Sequence, residues 1–186
     1  MDILTLFSLA VGLAMDAFAV SICKGLAQEK LSVKHMVTAG LWFGGFQALM
    51  PTLGYFLGSQ FRDKITAVDH WIAFILLGFI GINMIRESMD KEEVCPEGNM
   101  GVKAMFPLAV ATSIDALAVG VTFAFLHVNI ILAAALIGVI TFVMSAIGVK
   151  VGNIFGARYK SRAELAGGII LVILGIRILL EHLGIL

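Results

Sequence analysis

Charge is what this sequence has least of. Only 14% of its 186 residues are Asp, Glu, Lys or Arg, against about 25% in an ordinary soluble domain. The charges present cancel, 13 basic against 13 acidic, so neither nucleic acid nor an acidic partner is indicated. Cysteine is nearly absent: Cys23 and Cys95 stand far apart, and in the reduced compartment assigned to them below no structural disulfide is expected. His35, His70, His127 and His182 are scattered, which leaves no His/Cys cluster of zinc spacing. No Gly-x-x-x-x-Gly-Lys-[Ser/Thr] loop occurs, so nothing points to nucleotide-driven work. The N-terminus lacks the basic stretch of a cleavable signal.

Long apolar runs fill the space that charge leaves. The chain is 60% hydrophobic with a mean hydropathy of +1.00. Six runs, near 3–23, 34–58, 68–88, 104–126, 130–156 and 165–185, reach the roughly 20 residues that a membrane helix needs. The expected fold class is therefore an all-α integral membrane protein with six transmembrane helices. Lys24, Lys30, Lys34, Arg86, Lys91, Lys103, Arg158, Lys160 and Arg162 flank three of the connections, whereas Arg62 and Lys64 alone serve the other side. The excess of basic residues predicts that the connections between spans one and two, three and four, and five and six face the cytoplasm and that both termini lie outside it.

Two aspartates interrupt these runs in matching contexts. Asp16 lies in Met15-Asp16-Ala17-Phe18-Ala19-Val20, and Asp115 in Ile114-Asp115-Ala116-Leu117-Ala118-Val119. A carboxylate at the centre of a membrane helix costs about 2.5–3.5 kcal/mol even on the lenient insertion scale, so its repetition argues for joint use. The match extends along the chain. Gly40 aligns with Gly138, Gln47 with Ser145, Gly54 with Gly152 and Gly58 with Gly156; farther on, Asn83 aligns with Arg177. Residues 1–90 and 104–186 thus read as two three-helix repeats joined by an acidic cytoplasmic linker, 91–103. Three spans per half put the second half in the membrane inverted, and inverted repeats carry substrate sites at the midplane between halves.

The chemistry-bearing residues follow from this frame. Asp16 and Asp115 supply the carboxylates, and Gln47 and Ser145 supply matched neutral oxygens. That donor set suits a hard or borderline divalent cation such as Mg²⁺ or Mn²⁺. Met15 offers a thioether, Thr112 stands one turn before Asp115, and Asn83 and Arg177 are polar residues inside spans three and six. These four are candidates for ligation or gating. Two membrane carboxylates also occur in intramembrane aspartyl proteases, but the Gly-x-Gly-Asp signature of those enzymes is absent at both sites. An exporter of a small organic solute such as an amino acid is the other alternative, for which Arg177 alone could hold a carboxylate.

Met15-Asp16-Ala17-Phe18-Ala19-Val20-Ser21, Phe43-Gly44-Gly45-Phe46-Gln47-Ala48-Leu49-Met50-Pro51 and Ser113-Ile114-Asp115-Ala116-Leu117-Ala118-Val119-Gly120 resemble the MntP family of bacterial manganese efflux pumps. The resemblance covers essentially the whole chain. It implies a multi-pass inner-membrane transporter, not an enzyme, that exports Mn²⁺ as substrate and uses no cofactor. Gln47 stands where some members carry Glu, which lowers the formal charge of the site. Without a nucleotide motif, export is expected to draw on an ion gradient. Two like carboxylates in a dry site resist joint ionisation, so exchange of Mn²⁺ for protons is the expected coupling.

Overall fold

A computed structural model describes residues 3–60, 99–126 and 128–155 continuously, together with isolated residues between 74 and 86 and between 165 and 180. Among the described residues every regular element is helical. Five helices are complete: α1 (Ile3–Leu26), α2 (Val33–Ser59), α3 (Val102–Ala111), α4 (Ile114–Phe125) and α5 (Ile130–Phe155). Residues such as Phe74, Ile82, Ile169 and Ile176 are also helical and fall within the expected third and sixth spans.

Local chemistry explains the helix ends. Ser32 caps α2 by accepting from the Lys34 amide at 3.2 Å. Asn129 caps α5 by accepting from the amides of Ile131 and Leu132 at 3.1 and 3.2 Å, as a short polar side chain at an N-cap should. At the C-terminal end of α1, Asn153 on α5 donates to the carbonyls of Gly25 and Gln28. Lys24, only 1% exposed, donates to the Asn99 carbonyl at 2.9 Å. These long-range bonds satisfy carbonyls at the end of α1 and just before α3 and fix where α1 stops.

α1 and α5 are each long and apolar enough to cross a membrane, and α3 with α4, bent by 44° at their break, is so only when the pair is taken together. α2 is 27 residues long, about 40 Å at helical rise, but its glycines, His35 and Gln47 make it less apolar than the others. The outward faces are apolar: Ile131 is 80% exposed, Val33 74% and Phe79 72%. Such a surface suits lipid and not water.

The sequence reading placed one unbroken span over 104–126, and here the structure differs. Thr112 and Ser113 interrupt it. The Ser113 hydroxyl donates to the carbonyls of Ala109 at 2.6 Å and Val110 at 3.1 Å, and that of Thr112 to Ala109 at 3.4 Å. Side chains that compete for the backbone in this way bend or end a helix. The aligned positions in α1 are Leu13 and Ala14, which cannot compete, and α1 runs on unbroken.

Packing is governed by glycine. A Cβ on Gly44 would lie 2.7 Å from the Gly138 carbonyl oxygen, and one on Gly40 the same distance from the Phe142 ring. Gly138 in turn approaches Ala48, so α2 and α5 run antiparallel. Gly148 sits against Phe18 and Ser21, and Gly152 against Ile22, so α1 and α5 run parallel. Gly54 meets Leu117 and Val121, and Gly58 meets Val121 and Ala124, so α2 and α4 also run parallel. Consequently α1 packs mainly on α5, and α2 on α4 and α5, while α1 barely touches α2.

The glycines differ sharply in what surrounds them. A Cβ at Gly152 would press on the Ile22 carbonyl, whereas one at Gly45 meets nothing within 4 Å. Gly152→Ala should therefore destabilise the protein by about 1–3 kcal/mol, as overpacking does. Gly45→Ala should be neutral or stabilise by up to about 1 kcal/mol through higher helix propensity. Thermal melting of both variants in detergent checks the contrast; equal melting temperatures would contradict this packing.

Candidate functional site

The two aspartates border one core. Leu13, one turn before Asp16, and Ala116, next to Asp115, belong to a single buried cluster with Leu6, Leu9, Ala10, Val119, Phe123, Ala133 and Ile137. Met15 and Met50 pack against it. Asp16 is half-buried on unbroken α1, and Asp115 is half-buried in the first turn of α4. One Asp115 carboxylate oxygen accepts from the Ala116 amide at 2.8 Å. The break at Thr112–Ser113 therefore sets Asp115 at the positive end of a helix, where a negative group is stabilised.

Gln47 is fully buried and links α2 to α1: its Nε2 donates to the Leu13 carbonyl at 2.9 Å, within the turn that precedes Asp16. Its Oε1 is buried with no hydrogen-bond partner. Ser145 on α5 is fully buried too, and its hydroxyl has no partner. Buried oxygens left in this way are costly to a fold unless something else coordinates them. Both are neutral donors of the kind a hard cation accepts.

Thr112 sits at the helix break with its hydroxyl spent on the Ala109 carbonyl, which gives it a structural task. Met15 faces the core cluster. Asn83 and Arg177 lie outside the described residues, as do Glu92, Glu93 and Glu97 of the linker. Among the described residues no group of three His, Cys, Asp or Glu side chains converges. An apolar groove lined by Gly40, Gly44, Ala48, Ala134, Gly138 and Phe142 offers no polar side chain to a cation.

Sequence reasoning missed three features. Ser113, which holds the helix break, carries no mark in a hydropathy profile. Thr141, fully buried on α5 with an unpartnered hydroxyl, aligns with Phe43 and so escapes a search for matched polar pairs. Cys23 is disulfide-bonded, against the expectation of none. Separation along the chain was the weak premise: the Lys24–Asn99 bond holds the residues before α3 against the end of α1. Cys95, the other cysteine of the chain, lies outside the described residues.

Comparison with known proteins adds the family. A family model described as "Putative manganese efflux pump" matches residues 30–179. The chain belongs to the MntP family of manganese efflux pumps. It is 60% identical to the "Putative manganese efflux pump MntP" of Desulfitobacterium hafniense (strain Y51), over 98% of this chain and 97% of that protein. It is 56% identical to the protein of the same description from Acetivibrio thermocellus, over 100% of this chain and 94% of that one. With the Clostridium perfringens (strain SM101 / Type A) counterpart identity is 47%, over 100% and 98%. No solved structure matches the chain. Membership and the apolar helices together make this a membrane protein of manganese homeostasis.

The Ser113 hydroxyl is the strongest side-chain tie at the break, at 2.6 Å. Ser113→Ala should cost about 0.5–1.5 kcal/mol, the net worth of one hydrogen bond. It should also let α3 and α4 straighten toward one another, which helix content by circular dichroism and the melting temperature will register. Unchanged values in both would mean that the break does not depend on this side chain.

Proposed function

We propose that the protein exports Mn²⁺ across the bacterial inner membrane by alternating access, through a midplane site built on Asp16 and Asp115 with Gln47 and Ser145 as neutral oxygen donors. One observation carries the reading. Both aspartates border the same buried cluster, and the Gln47 amide bonds the turn that leads to Asp16. Family membership supplies manganese as the transported ion. The carboxylates neutralise the cation, while the amide and hydroxyl oxygens replace part of its water shell without adding charge.

The packing supports two inverted repeats. Under the alignment of Gly40 with Gly138, the contact of Gly40 with Phe142 exchanges with that of Gly44 with Gly138, as a twofold axis between α2 and α5 requires. The parallel pairs α1–α5 and α2–α4 fit the same axis, each first span lying on the second span of the other half. The directions agree with six spans that alternate. They suit an orientation with the Lys24 end of α1 in the cytoplasm and both termini outside. Rocking one pair against the other would open the site to either side in turn.

Asp16→Asn and Asp115→Asn remove charge with little change of shape. Each should lower Mn²⁺ affinity by more than about tenfold, since even outer-shell partners of a metal are worth about 10–100-fold. Each should also abolish manganese resistance in cells while the protein still inserts and melts normally. Wild-type resistance in either variant would remove that aspartate from the site. Double substitution of Gln47 and Ser145 by Ala should weaken Mn²⁺ binding more than folding.

Coupling to protons follows from the same pair. With one proton held on the empty site and expelled by the metal, each Mn²⁺ leaving would be exchanged for protons entering from outside. In proteoliposomes with membrane potential clamped, an imposed proton gradient should drive Mn²⁺ above its equilibrium level on the more acidic side. Transport that only equalises Mn²⁺ at every gradient would rule out exchange.

A further inference from the structure

Hydroxyls in a membrane helix ordinarily bond a carbonyl one turn back, and most of those described here do so. Ser8 donates to Leu4, Thr52 to Ala48, Ser113 to Ala109 and Thr122 to Ala118. Thr5, Ser21, Thr141 and Ser145 do not. Thr5 is 2% exposed and the other three 0%, and none of the four hydroxyls has a hydrogen-bond partner. Ser21, Thr141 and Ser145 also share one interface. On α5 the residues Ala133, Ile137, Thr141, Ser145, Gly148 and Gly152 follow one another at helical spacing along one stripe. Ala133 and Ile137 join the core cluster with Leu13, and Gly148 and Gly152 lie on Phe18, Ser21 and Ile22 of α1.

Thr141 and Ser145 fill the interval between those two contacts. On α1, which runs parallel, the same interval falls between Leu13 and Phe18 and contains Asp16. Ser21 carries the line one step farther, toward the ends of α1 and α5, where its Cβ would be 2.8 Å from one built on Gly148. The corresponding α2–α4 interface lacks such a line. Its aligned positions are Phe43, Gln47 and Gly120, and the hydroxyls of Thr52 and Thr122 are satisfied by their own helices.

We propose that Ser21, Thr141 and Ser145 are the polar lining of a passage between α1 and α5 that leads a partly hydrated divalent cation from the C-terminal ends of these helices to Asp16. This rests on the export reading above and deepens it by assigning the route on one face. In the present conformation the glycine contacts at Gly148 and Gly152 keep the passage shut. Separation of α1 from α5 would admit water and cation, and the three hydroxyls would gain the partners that the closed interface denies them. A buried hydroxyl with no partner penalises the closed form and is relieved in the open one, so the lining itself eases opening. Lys24 and Asn153 stand at the mouth, both held to backbone carbonyls.

Sidedness tests the assignment. Thr141→Val keeps volume and removes the hydroxyl, Ser21→Ala removes the outer one, and Thr141→Ser restores the chemistry. In oriented proteoliposomes, Mn²⁺ transport is measured with the ion presented at either face. Thr141→Val and Ser21→Ala should each raise KM by about tenfold, the effect of losing one hydrogen bond to a charged species. The rise should appear only for Mn²⁺ presented at the Lys24 face, and Thr141→Ser should return KM to the wild-type value. Equal KM at both faces, whether raised or unchanged, would overturn the passage. Asp16→Asn run in parallel separates the two readings: loss of transport there with a normal Thr141→Val variant would refute the passage alone, and wild-type transport in Asp16→Asn would refute the site.

Discussion

Close approach of helix backbones is the constraint on which the rest depends. Within a bilayer, helices gain little by hiding apolar surface from one another, so small residues that let backbones touch must supply the association. Here α5 is the element that both α1 and α2 grip, through Gly148 and Gly152 on one side and Gly138 on the other. Gly54, Gly58 and Gly120 bring α2 and α4 together in the same manner. The carbonyls of Phe18, Ile22, Pro51 and Val121 are the surfaces that these glycines meet. A side chain of any size at such positions would push apart the helices that carry the polar groups, so the packing code also fixes the depth of Asp16, Gln47 and Ser145.

This arrangement explains why neutral oxygens can be buried without hydrogen-bond partners. The tight glycine seams hold Gln47, Thr141 and Ser145 in place whether or not their oxygens are satisfied. Gln47 shows the division of labour within one side chain. Its Nε2 fixes α2 to the Leu13 carbonyl, while Oε1 remains buried and unbonded. A glutamate at this position would have no amide hydrogens for that bond. The amide therefore both braces the bundle and offers an oxygen, at the price of one less negative charge near the aspartates.

Much of the fold was legible in the sequence because apolar run length sets helix length. Runs expected at 3–23, 34–58 and 130–156 emerge as α1, α2 and α5 within a few residues of those bounds. Ser145, buried with an unpartnered hydroxyl, was singled out in the sequence because its aligned partner Gln47 is polar. Thr141 was not, because Phe43 gave no hint. Hydropathy could not register the break at Thr112–Ser113, since hydroxyl side chains inside an apolar run barely lower its mean; the signal lay in two adjacent hydroxyl residues able to take the Ala109 carbonyl. The Lys24–Asn99 and Asn153–Gly25 bonds join residues far apart in sequence, and no local pattern announces them. The Cys23 disulfide was missed for the same reason.

The two halves share a glycine pattern but differ where the aspartates sit, and that difference bears on the proposed cycle. Asp16 lies within an unbroken 24-residue helix, whereas Asp115 opens α4 after a bend. A continuous helix moves as a rod, so displacement at the Lys24 end of α1 would carry Asp16 with it. A helix hinged at Thr112–Ser113 can tilt one segment while the other stays against α2, so α4, held by the contacts of Gly54 with Leu117 and of Gly120 with Pro51, can keep Asp115 in place when α3 shifts. Ser21, Thr141 and Ser145, with unsatisfied hydroxyls, lie on the α1–α5 face, whereas Thr52 and Thr122 on the α2–α4 face and Ser113 at the hinge bond their own helices. Opening by separation is therefore favoured between α1 and α5, and opening by bending is favoured at α3–α4. In the proposed cycle the two halves thus reach alternating access by unlike motions, with the choice made by the pairs Leu13–Ala14 and Thr112–Ser113 at aligned positions.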